Sequence, residues 1–152
     1  RLSEPVDLIT CFLYSIHYSA GIERLKACIA SVHGALEAHG VFCFNAVDKH
    51  KIDNDLFVKH TAQHEGSRFT FSSGWNYCGV GERQSLRLSI EKASAEQTQV
   101  WHDEHPMVAV GFGELIGLLE PYFEVHVLEH DYGKIVPRDE TWGNALFVCV
   151  KI

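Results

Sequence analysis

The sequence predicts an α/β domain with a parallel core and an antiparallel insertion, and three patterns predict it. Two short, nearly continuous apolar runs, Asp7 to Leu13 (DLITCFL) and Gly40 to Val47 (GVFCFNAV), flank a stretch of helical period. That is the plan of a strand, helix, strand unit whose strands run parallel. Two later stretches alternate strictly between apolar and polar residues, as half-exposed antiparallel strands do. The chain ends on a second helical stretch, an alternating strand and a run that is apolar on both faces, Ala145 to Val150 (ALFVCV).

Each element follows from its local pattern. DLITCFL is rich in β-branched and aromatic residues and reads as a central strand buried on both faces. After Ser19, a candidate N-cap, apolar residues recur at Ile22, Leu25, Ile29, Val32 and Leu36 with charges between them, and Gly40 supplies the stop. Asp48 to Gly66 is polar and reads as a loop with a short helix started by Asp53 or Asn54. Phe69, Phe71, Ser73 and Trp75 alternate with polar partners, as do Leu86, Leu88 and Ile90. Gly74, Gly79 and Gly81 provide turn chemistry between these strands, and Gln97 to His102 adds a third. From Phe112 a helical period returns at Leu115, Ile116 and Leu119 and is stopped by Pro121. Phe123 to His130 alternates, and a long connection from Asp131 to Gly143, of a length that is often functional, leads to the last strand.

Composition narrows the function classes. The 152 residues fit a single domain, and 46% apolar with 22% charged residues matches an ordinary soluble domain. Lysine and arginine number 13 against 20 acids, a net charge of −7 with no basic cluster. Long nucleic acids and anionic membranes are therefore poor partners. No apolar run reaches the roughly 18 residues of a membrane span. Arg1-Leu2-Ser3-Glu4-Pro5 has no signal-peptide core, and a cytoplasmic location is expected. Five widely spaced cysteines (Cys11, Cys28, Cys43, Cys78, Cys149) read as small buried hydrophobes rather than a disulfide framework. The chain starts on Arg1, not Met, so either an N-terminal portion has been removed or the chain is a piece of something longer.

With LYSIHY at the end of the first strand and Leu36-Glu37-Ala38-His39-Gly40-Val41-Phe42-Cys43-Phe44 standing where a "L..GG.F.F" motif would, the order of elements resembles the second half of the class I S-adenosylmethionine-dependent methyltransferases. The resemblance covers Asp7 to Ile152. It implies a partial Rossmann-like methyltransferase sheet, strands 4-5-7-6, in one domain over residues 1–152, with an antiparallel β insertion at about 66–110. FLYSIHY and FNAVDKHKI are further similar to segments of the messenger-RNA cap guanine-N7 methyltransferases, but those enzymes carry an acid near the segment that here reads His105-Pro106-Met107-Val108-Ala109-Val110, and no acid occupies the matching place. A small or medium-sized acceptor is expected instead. The family's glycine-rich cofactor turn and ribose-binding acid have no counterpart in this chain, and Gly79-Val80-Gly81-Glu82 reads as a turn between strands.

The resemblance also implies roles. Leu13, Tyr14 and Ser15 would border S-adenosylmethionine, and His17 and Tyr18 would face the acceptor as catalytic residues. Asn45 and Asp48 would bound the acceptor pocket, with Trp75 and Trp101 offering aromatic cover. Each has a plainer reading: His17 and Tyr18 as strand-end packing, Asp48 as an Asx turn, the tryptophans as sheet-face packing. Without a first strand beside it, DLITCFL would be an open apolar edge, which implies a homo-oligomer or a missing N-terminal segment pairing with strand 7–13. The competing function classes are a truncated, non-catalytic binding or dimerisation module and a histidine-based metal protein using pairs such as His60/His64 or His102/His105. No spacing typical of zinc ligands is present, and no metal is expected.

Overall fold

The computed structural model describes residues 4–130 and 133–152. Among the described residues twelve elements follow one another, eight of them strands, arranged as two four-stranded sheets. In the first sheet β1 (Val6–Cys11) pairs parallel with β2 (Leu36–Val47), and the two are joined by α1 (Ile22–Ala35). β2 pairs antiparallel with β8 (Asn144–Lys151), and β8 with β7 (Phe123–Glu129), giving the order β1-β2-β8-β7. The second sheet is a meander of β3 (Val58–His64), β4 (Ser67–Tyr77), β5 (Arg83–Ala93) and β6 (Thr98–Val108). From it the chain passes into α2 (Phe112–Leu119).

The core lies on one face of the first sheet. Phe42, Phe44 and Ala46 of β2, Ala145, Phe147 and Cys149 of β8 and Phe123 of β7 are buried against Leu25 and Ile29 of α1 and Leu115 and Leu119 of α2. Phe44 and Phe147 stack with ring centres 5.0 Å apart, and Phe112 meets Phe147 edge-on at 5.2 Å. The five cysteines are free thiols, and burial pushes that of Cys149 up to about 12.

Several expectations need correction. β1 is not buried on both faces: Val6, Ile9 and Cys11 pack on the core while Leu8 is 57% exposed, and its other edge is open, with no strand pairing to it among the described residues. α1 is capped by Gly21, not Ser19, and closes at Ala35; Gly40 lies inside β2, at an irregularity where Leu36 to Val41 spans only Val6 to Leu8. A Cβ at Gly40 would sit 3.0 Å from the Glu37 carbonyl oxygen, so glycine serves close backbone approach there. The short helix falls at Lys49–Lys51, where the Asp48 carboxylate accepts from the His50 N–H at 3.0 Å. At the expected start, Asn54 instead exchanges two hydrogen bonds with the Tyr77 backbone (2.9 and 2.8 Å) and Asp53 closes an Asx turn on Asp55 N–H. β3, within the expected loop, is exposed along its whole length and so carries no burial period. β6 runs six residues past His102 to Val108, and the connection after β7 folds back on that strand, with Glu129 N–H donating to the Val136 carbonyl and Arg138 N–H to that of Val127. Arg1 to Ser3 and Asp131 and Tyr132, which open that connection, lie outside the described residues.

Candidate active site

The site is built where β1 ends. Beyond Cys11 the chain reverses through Leu13 and Tyr14, both left-handed at φ 55° and 59°, and enters a 3₁₀ turn at Ser15–Tyr18. Two consecutive L-residues there cost roughly 1–2 kcal/mol each, so the surroundings must hold them. Tyr14 N–H donates to Asn45 Oδ1 at 3.0 Å, while Ser15 donates to the Phe12 carbonyl from its N–H (3.2 Å) and from its hydroxyl (2.7 Å). Asn45, buried on β2, extends the link: its Nδ2 donates to His130 Nε2 at 3.0 Å, and Tyr14 Oη lies 3.4 Å from the same nitrogen. The Tyr14 ring stacks on His130 (5.7 Å) and meets Trp75 edge-on (5.3 Å). The strained turn is thus held between the end of β2, the residue following β7 and β4 of the second sheet.

The second sheet presents one face to this turn. Cross-strand register aligns Trp75, Leu86 and His105 in one row, with Tyr77, Gln84 and Met107 in the next. His17 lies beneath that face, fully buried. Its Nδ1–H donates to the Val108 carbonyl at 2.9 Å, and its Nε2 accepts from Val47 N–H at 3.0 Å. These two bonds define a neutral ring with one tautomer. Gln84 Nε2 lies 3.2 Å from Nδ1, and Gln84 Oε1 is buried with no hydrogen-bond partner among the described residues. Burial lowers the imidazole to about 4, the carbonyl of Val108 opposing the shift. His17 therefore has no lone pair available to take a proton from an acceptor. The expectation of an acceptor-facing imidazole meets a buried ring that ties β2, the 3₁₀ turn and β6 together.

Tyr18 is placed differently. It is 51% exposed, and its hydroxyl lies 2.5 Å from His105 Nδ1. His105 Nε2 is in turn 3.1 Å from Asp103 Oδ2, on the same face of β6 two residues earlier. The hydrogen bond from His105, with a second from Glu104 N–H, holds the Asp103 carboxyl below its ordinary range.

The other expected residues divide. Leu13, 82% exposed, stands at the open mouth of the turn. Ser15 spends its hydroxyl on the turn itself, and Asp48 its carboxylate on the Lys49–Lys51 cap, at the far end of β2 from the helix. Trp101 shares the sheet face with Trp75 but sits in the row of Phe71 and Ile90, four residues or roughly 13 Å along β6 from His105. His60 and His64 stand on a strand, and His102 and His105, an odd number apart, face opposite sides of β6. Among the described residues no three metal-ligating side chains converge. The sequence reading missed Gln84 and His130 as site residues and saw His105 only as a metal candidate. The two-residue spacing of Asp103 and His105 is the available signal, masked because the expected strand stops at His102. A cavity of ≈ 410 Å³ lies toward the other side of the second sheet, lined among others by Asn76, Ser85, Glu104 and Pro106.

No protein-family model matches the chain, nor does any curated protein. Solved structures do. CalS10, an amino pentose methyltransferase from Micromonospora echinaspora involved in calicheamicin biosynthesis, aligns over 100% of this chain and 61% of its own at 14% identity, with a TM-score of 0.79. The sugar N-methyltransferase KedS8 from Streptoalloteichus aligns over 99% and 58% at 16% identity and a TM-score of 0.74. An S-adenosylmethionine-dependent methyltransferase from Clostridium acetobutylicum aligns over 100% and 60% at 18% identity and a TM-score of 0.71. The chain thus spans about three fifths of the length of the solved chains it matches. With two sheets and two helices among its described residues, it shares the α/β fold of the corresponding part of these S-adenosylmethionine-dependent methyltransferase structures.

Proposed function

We propose that this chain carries the acceptor side, and part of the cofactor side, of an S-adenosylmethionine-dependent methyltransferase acting on a small or medium-sized acceptor. The observation that carries the reading is the strained Leu13–Tyr14 turn at the C-terminal end of a parallel strand, held by Asn45 and boxed by Trp75 and His130. Ligands of open α/β sheets bind at such strand ends, and strain that must be held by buried hydrogen bonds concentrates at functional sites. In this reading the order β1-β2-β8-β7 corresponds to strands 4-5-7-6 of the family, and the second sheet is the insertion covering the acceptor. The descriptions of CalS10 and KedS8 as sugar-directed enzymes support an amine on a small polar molecule as acceptor.

The residues present fit one flank of the cofactor. Phe12 and Leu13 expose apolar side chains at the mouth, where the methionine end would lie, and Tyr18 stands beyond them toward the acceptor. When bound, S-adenosylmethionine supplies a methyl group on a positively charged sulfur. The chain's own part is to fix the acceptor in line and exclude water, which suffices for much of the acceleration. His17 acts as a positioning residue in this account, and Trp75 as a wall of the pocket. The glycine-rich turn comes from a preceding segment or a second copy, which would also cover the free edge of β1, in a cytoplasmic protein.

Thermal unfolding in the presence of S-adenosylmethionine and S-adenosylhomocysteine tests this. Binding to the native form at about 100 times Kd would stabilise it by about 2.7 kcal/mol and raise the melting temperature. No shift at millimolar concentrations of both would favour the rival reading, a non-catalytic module that keeps the fold, for which the exposed edge strand is the specific observation.

A further inference from the structure

Three side chains of the site stand in line and are not accounted for by packing. Tyr18 Oη meets His105 Nδ1 at 2.5 Å, and His105 Nε2 meets Asp103 Oδ2 at 3.1 Å. The directions follow from chemistry. A carboxylate only accepts, so the His105 proton resides on Nε2, and Nδ1 offers its lone pair to the Tyr18 hydroxyl. The order donor hydroxyl, imidazole, carboxylate is that of a general base oriented and charge-compensated by a third group.

We propose that Tyr18, His105 and Asp103 form a proton relay that removes the proton released by the acceptor as it is methylated. The inference rests on the methyl-transfer reading above and names the residues that serve it. As the acceptor nitrogen lone pair forms the new N–CH3 bond, the S–CH3 bond breaks with its electron pair onto sulfur, leaving neutral S-adenosylhomocysteine. The nitrogen then sheds one proton to Tyr18 Oη while the Tyr18 proton passes to His105 Nδ1. The resulting imidazolium is held by the Asp103 carboxylate, so charge and protons balance. Tyr18 is the catalytic residue; His105 and Asp103 act through it.

The geometry favours this over a clip between the two parts of the molecule. The second sheet is already tied to the site by the buried bond from His17 to Val108, and by Glu82, whose carboxylate accepts from Ile22 N–H at 3.1 Å. The relay is solvent-reachable by contrast: the His105 side chain is 32% and that of Asp103 71% exposed, so a proton delivered to the imidazole has a way out. Exposed hydrogen bonds of this kind contribute little to stability, and Tyr18, His105 and Asp103 can be changed without collapsing the core.

Two measurements on the full chain test the relay. The first is methyl transfer from S-adenosylmethionine labelled on the methyl group to D-glucosamine as the amine probe. Tyr18→Phe and His105→Gln are each expected to lower kcat about 100-fold with KM within threefold, and Asp103→Asn to fall between them and the native chain. Native-like kcat in Tyr18→Phe overturns the relay while leaving methyl transfer standing. The second measurement needs no turnover: the nitrogen NMR spectrum of the His105 ring. An Nε2–H tautomer whose Nδ1 signal moves in Tyr18→Phe supports the relay. An Nδ1–H tautomer, or an Nδ1 signal indifferent to Tyr18→Phe, overturns it. If the native chain transfers no label, the methyl-transfer reading fails for this probe and the spectrum alone decides.

Discussion

Acidification should destabilise the fold through His17. The ring is buried and neutral in the fold, with its imidazole lowered from 6.5 to about 4, chiefly by burial. A histidine depressed in this way binds a proton in the unfolded chain but not in the native one between those two values. Its stabilising effect is therefore complete above about pH 6.5, declines as pH falls, and is spent near pH 4. The full span corresponds to roughly 3 kcal/mol, and about 2 kcal/mol of it is lost by pH 5. That is a large share of the 5–15 kcal/mol typical of a domain. The assay is urea unfolding of the native chain and His17→Gln at pH 7.5, 6 and 5, taking the difference in stability between the two at each pH so that the other nine histidines cancel. The native advantage should shrink by about 2 kcal/mol between pH 7.5 and 5. The histidine C2–H resonance missing from the His17→Gln spectrum should titrate well below 6. A constant difference, or a midpoint near 6.5, would refute the claim that both ring nitrogens are committed to Val108 and Val47.

Two further outcomes are expected. Asn45→Leu keeps the branched shape but leaves Tyr14 N–H without its Asn45 acceptor, and should cost about 1–3 kcal/mol in urea unfolding while releasing the Leu13–Tyr14 turn. Unchanged Trp75 fluorescence and stability would show that the turn does not depend on the amide. Glu82→Gln removes the negative charge at the N-terminus of α1, where Gly21 offers no side-chain cap, and should cost about 0.3–1 kcal/mol at low ionic strength. The difference should fade in 1 M salt, and a loss indifferent to salt would point to packing instead.

Local pattern carried the elements that bury a stripe or an alternate face. α1, α2, β4, β5 and β7 each place apolar residues at the period of their own backbone, because burial on one side is written residue by residue, and β8 showed as a run apolar on both faces. β3 escaped because an exposed edge strand buries nothing, and the capped turn at Asp48 and the Asn54–Tyr77 pair escaped because polar side chains there satisfy backbone groups chosen by tertiary approach. Within the site, Tyr14, Tyr18, Asn45 and Trp75 were legible as polar or aromatic residues at strand ends or on a sheet face. Their partners were not: Asn45 meets a tyrosine 31 positions away, Tyr14 a histidine 116 away, Tyr18 a histidine 87 away. By itself the sequence determined that a parallel strand leads toward SIHY and that an antiparallel sheet follows the second strand. Which imidazole is sealed and which stays open was decided by register and packing alone, since burial of His17 under Gln84 and exposure of His105 beside Tyr18 depend on how one sheet settles on the other.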